Sequence, residues 1–163
     1  MNTAPGSVEV KSGSKGEVAV DLDLKVPENL DCTVSQDGNV VTVNCRGKGG
    51  FWGWPSYMFG SGPTANILIA APVESDLDLE TRAGNVTVAG VNGMIVAESS
   101  AGRVRIRECN GTVKARTRAG SVDLDNVDGT VSARSSAGSL KYSGALAKGE
   151  NWFRTSVGSI DLS

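Results

Sequence analysis

From Asp76 to Ser163 apolar and polar residues alternate in short runs, and each run starts two places after a glycine. The apolar members are Val86 and Val88, Ile95 and Ala97, Val104 and Ile106, Val113 and Ala115, Val122 and Leu124, Val131 and Ala133, Leu140 and Tyr142, and Ile160 and Leu162. Alternation of period two puts one side of a strand inside and the other in solvent. Gly84, Gly102, Gly120, Gly138 and Gly158 are separated by 18, 18, 18 and 20 residues, with Gly93, Gly111, Gly129 and Gly149 about halfway between. A glycine every nine residues supplies corners that have no room for a side chain or need a positive φ. A fixed period near 20 residues is the mark of a solenoid. The pattern predicts an all-β, single-stranded parallel β-helix with about 18 residues per coil, two short strands in each, and no significant helix.

Residues 1–7 read as a disordered tail, and 8–163 as a single β-solenoid domain. Within it, 8–45 are expected to form irregular N-terminal coils or a cap. The stretch 22–43 resembles 67–88: each has alternating aliphatics, a proline, a turn, more alternation and then Gly-Asn-Val. Residues 46–65, RGKGGFWGWPSYMFGSGPTA, carry too much glycine and proline for regular structure and read as an inserted loop. Phe51, Trp52, Trp54, Tyr57 and Phe59 lie there, five of the chain's eight aromatic residues. Such a loop can cap an open coil or serve as a binding site for a sugar, a membrane or a protein. Residues 66–163 are the regular coils. Two extra residues before Gly158 predict a bulge near Leu146 to Lys148, with Phe153 inward and Trp152 outward. The last strand, SIDLS, has no evident cap and invites end-to-end association or marks a truncated chain.

Aligning the coils on their glycines brings out columns. Thr81, Ser99, Thr117, Ser135 and Thr155 share one slot, inward or at a corner, where stacked hydroxyls bond each other or freed backbone groups. They read as a structural ladder, because the chain has no histidine to activate a nucleophile. On the outside, Thr87, Arg105, Asp123, Lys141 and Asp161 alternate in sign and favour one register. A second column, Glu80, Glu98, Arg116, Arg134 and Arg154, ends in three arginines that register does not need. It is either a solvated face or a site for an anionic partner.

Composition adds limits. A formal net charge of −2 gives no global field toward nucleic acid. No run is long enough for a transmembrane helix, and the start MNTAPGS lacks the basic and apolar parts of a signal peptide. Membrane association is therefore expected only through segments outside this sequence. The absence of histidine removes the commonest general base and a common metal ligand. The pairs Asp21/Asp23, Asp76/Asp78 and Asp123/Asp125 read as strand exteriors rather than cation sites, since calcium needs six to eight oxygens. No cofactor, metal or catalytic residue is expected. The sequons at Asn85 and Asn110 carry little weight. Cys109 falls in an inward slot with Val91 and Val127 and reads as a core residue. Cys32 and Cys45 come opposite one another if the chain turns at Gly38–Asn39; two buried thiols are the expectation and a disulfide the alternative.

The repeated phrase, seen in CNGTVKARTRAGSVDL and VDGTVSARSSAGSLKY, resembles the putative adhesin family of bacterial domains. The resemblance covers about residues 65–163 well and the earlier part loosely. It implies a right-handed β-helix, frequently at the cell envelope, and supplies no catalytic residue. The aromatic insertion departs from the family pattern. The expected function is a non-enzymatic structural or adhesin-like module. It would present a rigid face (Arg116, Arg134, Arg154) and the aromatic loop to a protein or glycan. The alternatives are a scaffold that self-associates through open coil ends, and an envelope polysaccharide-active enzyme.

Overall fold

The computed structural model describes residues 2–3, 6–14, 16–25, 30–47 and 64–163. Among these, every regular element is a strand: β1 (Asn2–Thr3), β2 (Val8–Ser12), β3 (Ala19–Lys25), β4 (Leu30–Asp37), β5 (Val40–Gly47), β6 (Thr64–Ala71) and β7 (Leu77–Ala83). The second half continues with β8 (Val86–Ala89), β9 (Asn92–Ala101), β10 (Val104–Ala119), β11 (Val122–Ala137), β12 (Leu140–Tyr142), β13 (Trp152–Val157) and β14 (Ile160–Leu162). From β7 to β14 the strands stack in parallel as a β-solenoid, five coils in sequence order. The register is the one set by the glycines: Val104 lies beside Val86 and Val122, and Ala115 beside Ala97 and Ala133.

Two walls share one core. The first is built from β7, β9, the second halves of β10 and β11, and β13. The second contains β8, the first halves of β10 and β11, then β12 and β14. Alternate side chains from both walls fill the interior, and Val86, Val88, Ile95, Val104, Ile106, Val113, Val122, Val127 and Val131 are fully buried. Burying one such side chain stabilises by about 1.5–3 kcal/mol. Cys109 is among them, with its Sγ 3.0 Å from the Arg107 carbonyl. Burial pushes its thiol pKa up, so it stays protonated and inert.

The corners explain the repeat. Gly84, Gly102, Gly120 and Gly138 have φ of +144° to +153°. A Cβ on any of them would collide with the carbonyl oxygen of the glycine one coil above. Each glycine N–H still donates along the stack, as Gly102 does to the Ala119 carbonyl at 3.0 Å. The glycine carbonyl is instead taken by the buried hydroxyl ladder. Thr81 donates to Gly6 at 3.1 Å, Ser99 to Gly84 at 3.0 Å, Thr117 to Gly102 at 3.1 Å, Ser135 to Gly120 at 2.9 Å and Thr155 to Gly138 at 2.9 Å. A second corner is invisible in the glycine pattern. Gly90, Glu108 and Asn126 share it, with φ of +70°, +52° and +54°.

The N-terminal part departs from a simple winding. Asn2–Thr3, read from sequence as tail, pair in parallel with both β5 and β7, and Gly6 takes a place in the glycine column. β2 lies between β6 and β8, with Val8 beside both Ile67 and Val86. Residues 2–3 and 6–12 are thus threaded between strands supplied by later sequence. Above them, β3 covers β6 and β4 covers β5, both antiparallel. Part of 8–45 is therefore solenoid and part is a lid. The β4–β5 hairpin turns at Gly38, whose φ is +57°, and sets Cys32 directly across from Cys45. The two form a disulfide, in place of the buried thiols expected from sequence, because the tight turn fixes the register that opposes them. At the other end, the bulge before β13 is tied by Asn151, whose Oδ1 accepts from the Val131 N–H at 2.8 Å and whose Nδ2 donates to the Ala147 carbonyl at 2.8 Å.

Three stability measurements check this account. Gly120→Ala should cost at least about 3 kcal/mol in chemical denaturation, because neither its φ nor the Gly102 carbonyl leaves room. Glu108→Gly should stabilise by about 1 kcal/mol, since it relieves a left-handed conformation that Gly90 adopts freely one coil above. Reduction of Cys32–Cys45, which closes 13 residues, should lower stability by about 2–3 kcal/mol, and Cys32→Ser/Cys45→Ser should reproduce that loss without reductant.

Candidate interaction face

With the interior filled, chemistry is confined to the outer faces. On the first wall the strand pairing stacks Glu80, Glu98, Arg116, Arg134 and Arg154 in one column, as the sequence pattern requires. Neighbouring positions in parallel strands lie about 4.8 Å apart. Arg116 is ion-paired upward, with its Nη1 2.9 Å from Glu98 Oε1. Arg134 and Arg154 are exposed and have no acidic partner among the described residues. Lys114 and Arg118 flank Arg116 on the same strand and are also exposed. The lower half of this wall is thus cationic, and Asp78, Glu80 and Glu98 make its upper half acidic.

Trp152 completes the lower half. It pairs with Ser132 in the column beside the arginines, points outward and keeps 41% of its surface exposed. It sits two residues from Arg154 on β13, so an indole and a guanidinium project from the same strand face. Phe153 faces the other way, 5.2 Å from the Tyr142 ring in a tilted contact within the core. The sequence pattern gives the orientation of both, but it does not join Trp152 to the arginine column; only the pairing of Arg134 with Arg154 and Ser132 with Trp152 does that.

The second wall is balanced. Arg103, Arg105 and Arg107 project from one coil and Asp123 and Asp125 from the next, around a shallow, open depression of about 500 Å³. Asp123 Oδ2 lies 3.4 Å from Arg103 Nε and 3.5 Å from Arg105 Nη2. Asp125 accepts from the Ser143 hydroxyl at 3.0 Å. Asp76 accepts from the Met94 N–H at 2.8 Å, which is a backbone role. No group of three or more potential metal ligands occurs among the described residues. No helix among them is long and apolar enough to cross a membrane. Phe51, Trp52, Trp54, Tyr57 and Phe59, the expected aromatic site, lie outside the described residues.

No family model and no characterised protein sequence matches the chain. In architecture it is similar to the crystal structure of a putative cell adhesion protein from Clostridium sporogenes ATCC 15579. The two share a TM-score of 0.56 and 12% sequence identity over 99% of this chain and 89% of that one. At that identity the likeness is one of fold alone.

Proposed function

We propose that the protein is a non-enzymatic, adhesin-like interaction module that binds an anionic partner along the lower half of its first wall. One observation carries the reading: Arg134 and Arg154 stand in register, exposed and without acidic partners among the described residues. Stacking like charges at strand spacing works against the fold, and nothing in the register requires it. The second wall shows the alternative this chain uses elsewhere, where Arg105 lies beside Asp123 and Asp123 beside Lys141. An extended polyanion lying along the column would neutralise the arginines, and Trp152 beside Arg154 would offer a stacking surface to a sugar ring. The aromatic loop of Phe51, Trp52, Trp54, Tyr57 and Phe59 is proposed as a further contact. The rigidity of the stacked coils suits a binding surface that is formed in advance and needs no ordering on contact.

Calorimetric titration with heparin and with poly-glutamate checks the proposal. Wild-type chain should bind at about 50 mM salt and lose affinity toward about 200 mM. Arg134→Ala/Arg154→Ala should weaken binding roughly tenfold or more while the circular dichroism spectrum is kept. Trp152→Ala should weaken binding to the glycan only, and Trp52→Ala/Trp54→Ala should do so if the loop contributes. Unchanged affinity in the double arginine variant would remove the face from consideration.

A further inference from the structure

We propose that Glu98 limits how far an anionic ligand runs up the first wall, by holding Arg116 out of the site; this presupposes that the lower half of the wall binds an anion. By position Arg116 belongs with the other two arginines, since it stands directly above Arg134, which stands above Arg154. Its guanidinium is committed elsewhere. Nη1 lies 2.9 Å from Glu98 Oε1, and the two side chains keep 55% and 41% of their surface, so both remain within reach of a ligand.

The commitment follows from register. β10 presents three outward cations, Lys114, Arg116 and Arg118, and only the central one has an acid directly above it among the described residues. Lys114 lies beside Val96, and Arg118 beside Ser100, between the Thr117–Ser99 and Ala119–Ala101 pairs. Arg116 therefore has a carboxylate one coil above and a guanidinium one coil below, each at a strand spacing of about 4.8 Å. Both act in the same direction: Glu98 draws Arg116 upward and Arg134 repels it upward.

A ligand gains little by reversing this. An anion that took Arg116 would replace one exposed ion pair by another of similar strength. It would also leave the Glu98 carboxylate bare, facing the ligand and one coil below Glu80. A like charge set against the ligand is repulsive. Arg134 and Arg154 carry no such penalty, so an anion running along the column occupies β11 and β13 and stops short of Arg116. Glu98 acts on the ligand through Arg116 and is a positioning residue.

Arginine Nε–Hε signals of the 15N-labelled chain report which guanidiniums a heparin tetrasaccharide engages, and calorimetry from about 50 to about 200 mM salt counts the charges neutralised. In the wild type the Arg134 and Arg154 signals should shift and that of Arg116 should stay in place. Glu98→Gln should bring Arg116 into the set, tighten binding roughly threefold and steepen the salt dependence by about one charge. Glu98→Gln/Arg116→Gln should return affinity and salt dependence to wild-type values, with circular dichroism establishing that each variant is folded. An Arg116 signal that moves in the wild type, or one that stays in place in Glu98→Gln, would overturn the proposal and leave the polyanion site standing. If the Arg134 and Arg154 signals do not move, the site itself is removed and the limit with it.

Discussion

The structure depends on the contact of one glycine with the next along a single corner. Parallel strands must lie about 4.8 Å apart, and at the corner the carbonyl of one coil points where a side chain of the next would stand. Glycine removes that side chain, but the turned carbonyl then leaves the strand ladder and needs a donor inside the protein. The inward hydroxyl three places ahead of each glycine in the next coil supplies it, from Thr81 on Gly6 to the half-buried Thr155 on Gly138. A buried acceptor left without a donor costs about 1–3 kcal/mol, so glycine and hydroxyl have to repeat together. The same bonds give the ladder serines and threonines a structural role. Their protons are committed to the backbone.

Because the corner fixes register, the outer positions become columns whose charge is free to vary. The second wall uses that freedom for balance, with Asp123 shared by Arg103 and Arg105. The first wall separates charge along its length. Among the described residues Arg134 and Arg154 have no acidic partner, and with the adjacent indole they form a part of the surface that stability does not account for.

Much of this was legible in the sequence. Spacing alone located the coils, the inward residues through Tyr142, the hydroxyl ladder and both charged columns, because each depends on local alternation and a fixed period. Three features were not legible, for different reasons. The corner at Glu108 and Asn126 uses non-glycine residues in a conformation that glycine usually marks, so its signal is absent. The disulfide depended on a hairpin register that the cysteine spacing permits but does not require. The threading of β2 is a matter of which strands lie on either side of it, and alternation in Val8 and Val10 says only that they face inward. The aromatic residues Phe51, Trp52, Trp54, Tyr57 and Phe59 were evident as composition, and they lie outside the described residues.

That threading bears on the order in which the molecule can form. Residues 8–12 are synthesised before the strands on either side of β2, which are contributed by residues 64–71 and 86–89. Until those are made, β2 has no edge to join, and its valines have no core. The coils from β7 onward, by contrast, contact neighbours only about 18 residues away and can add one at a time. The coil that contains β2 is therefore completed only after later sequence has supplied both of its neighbours.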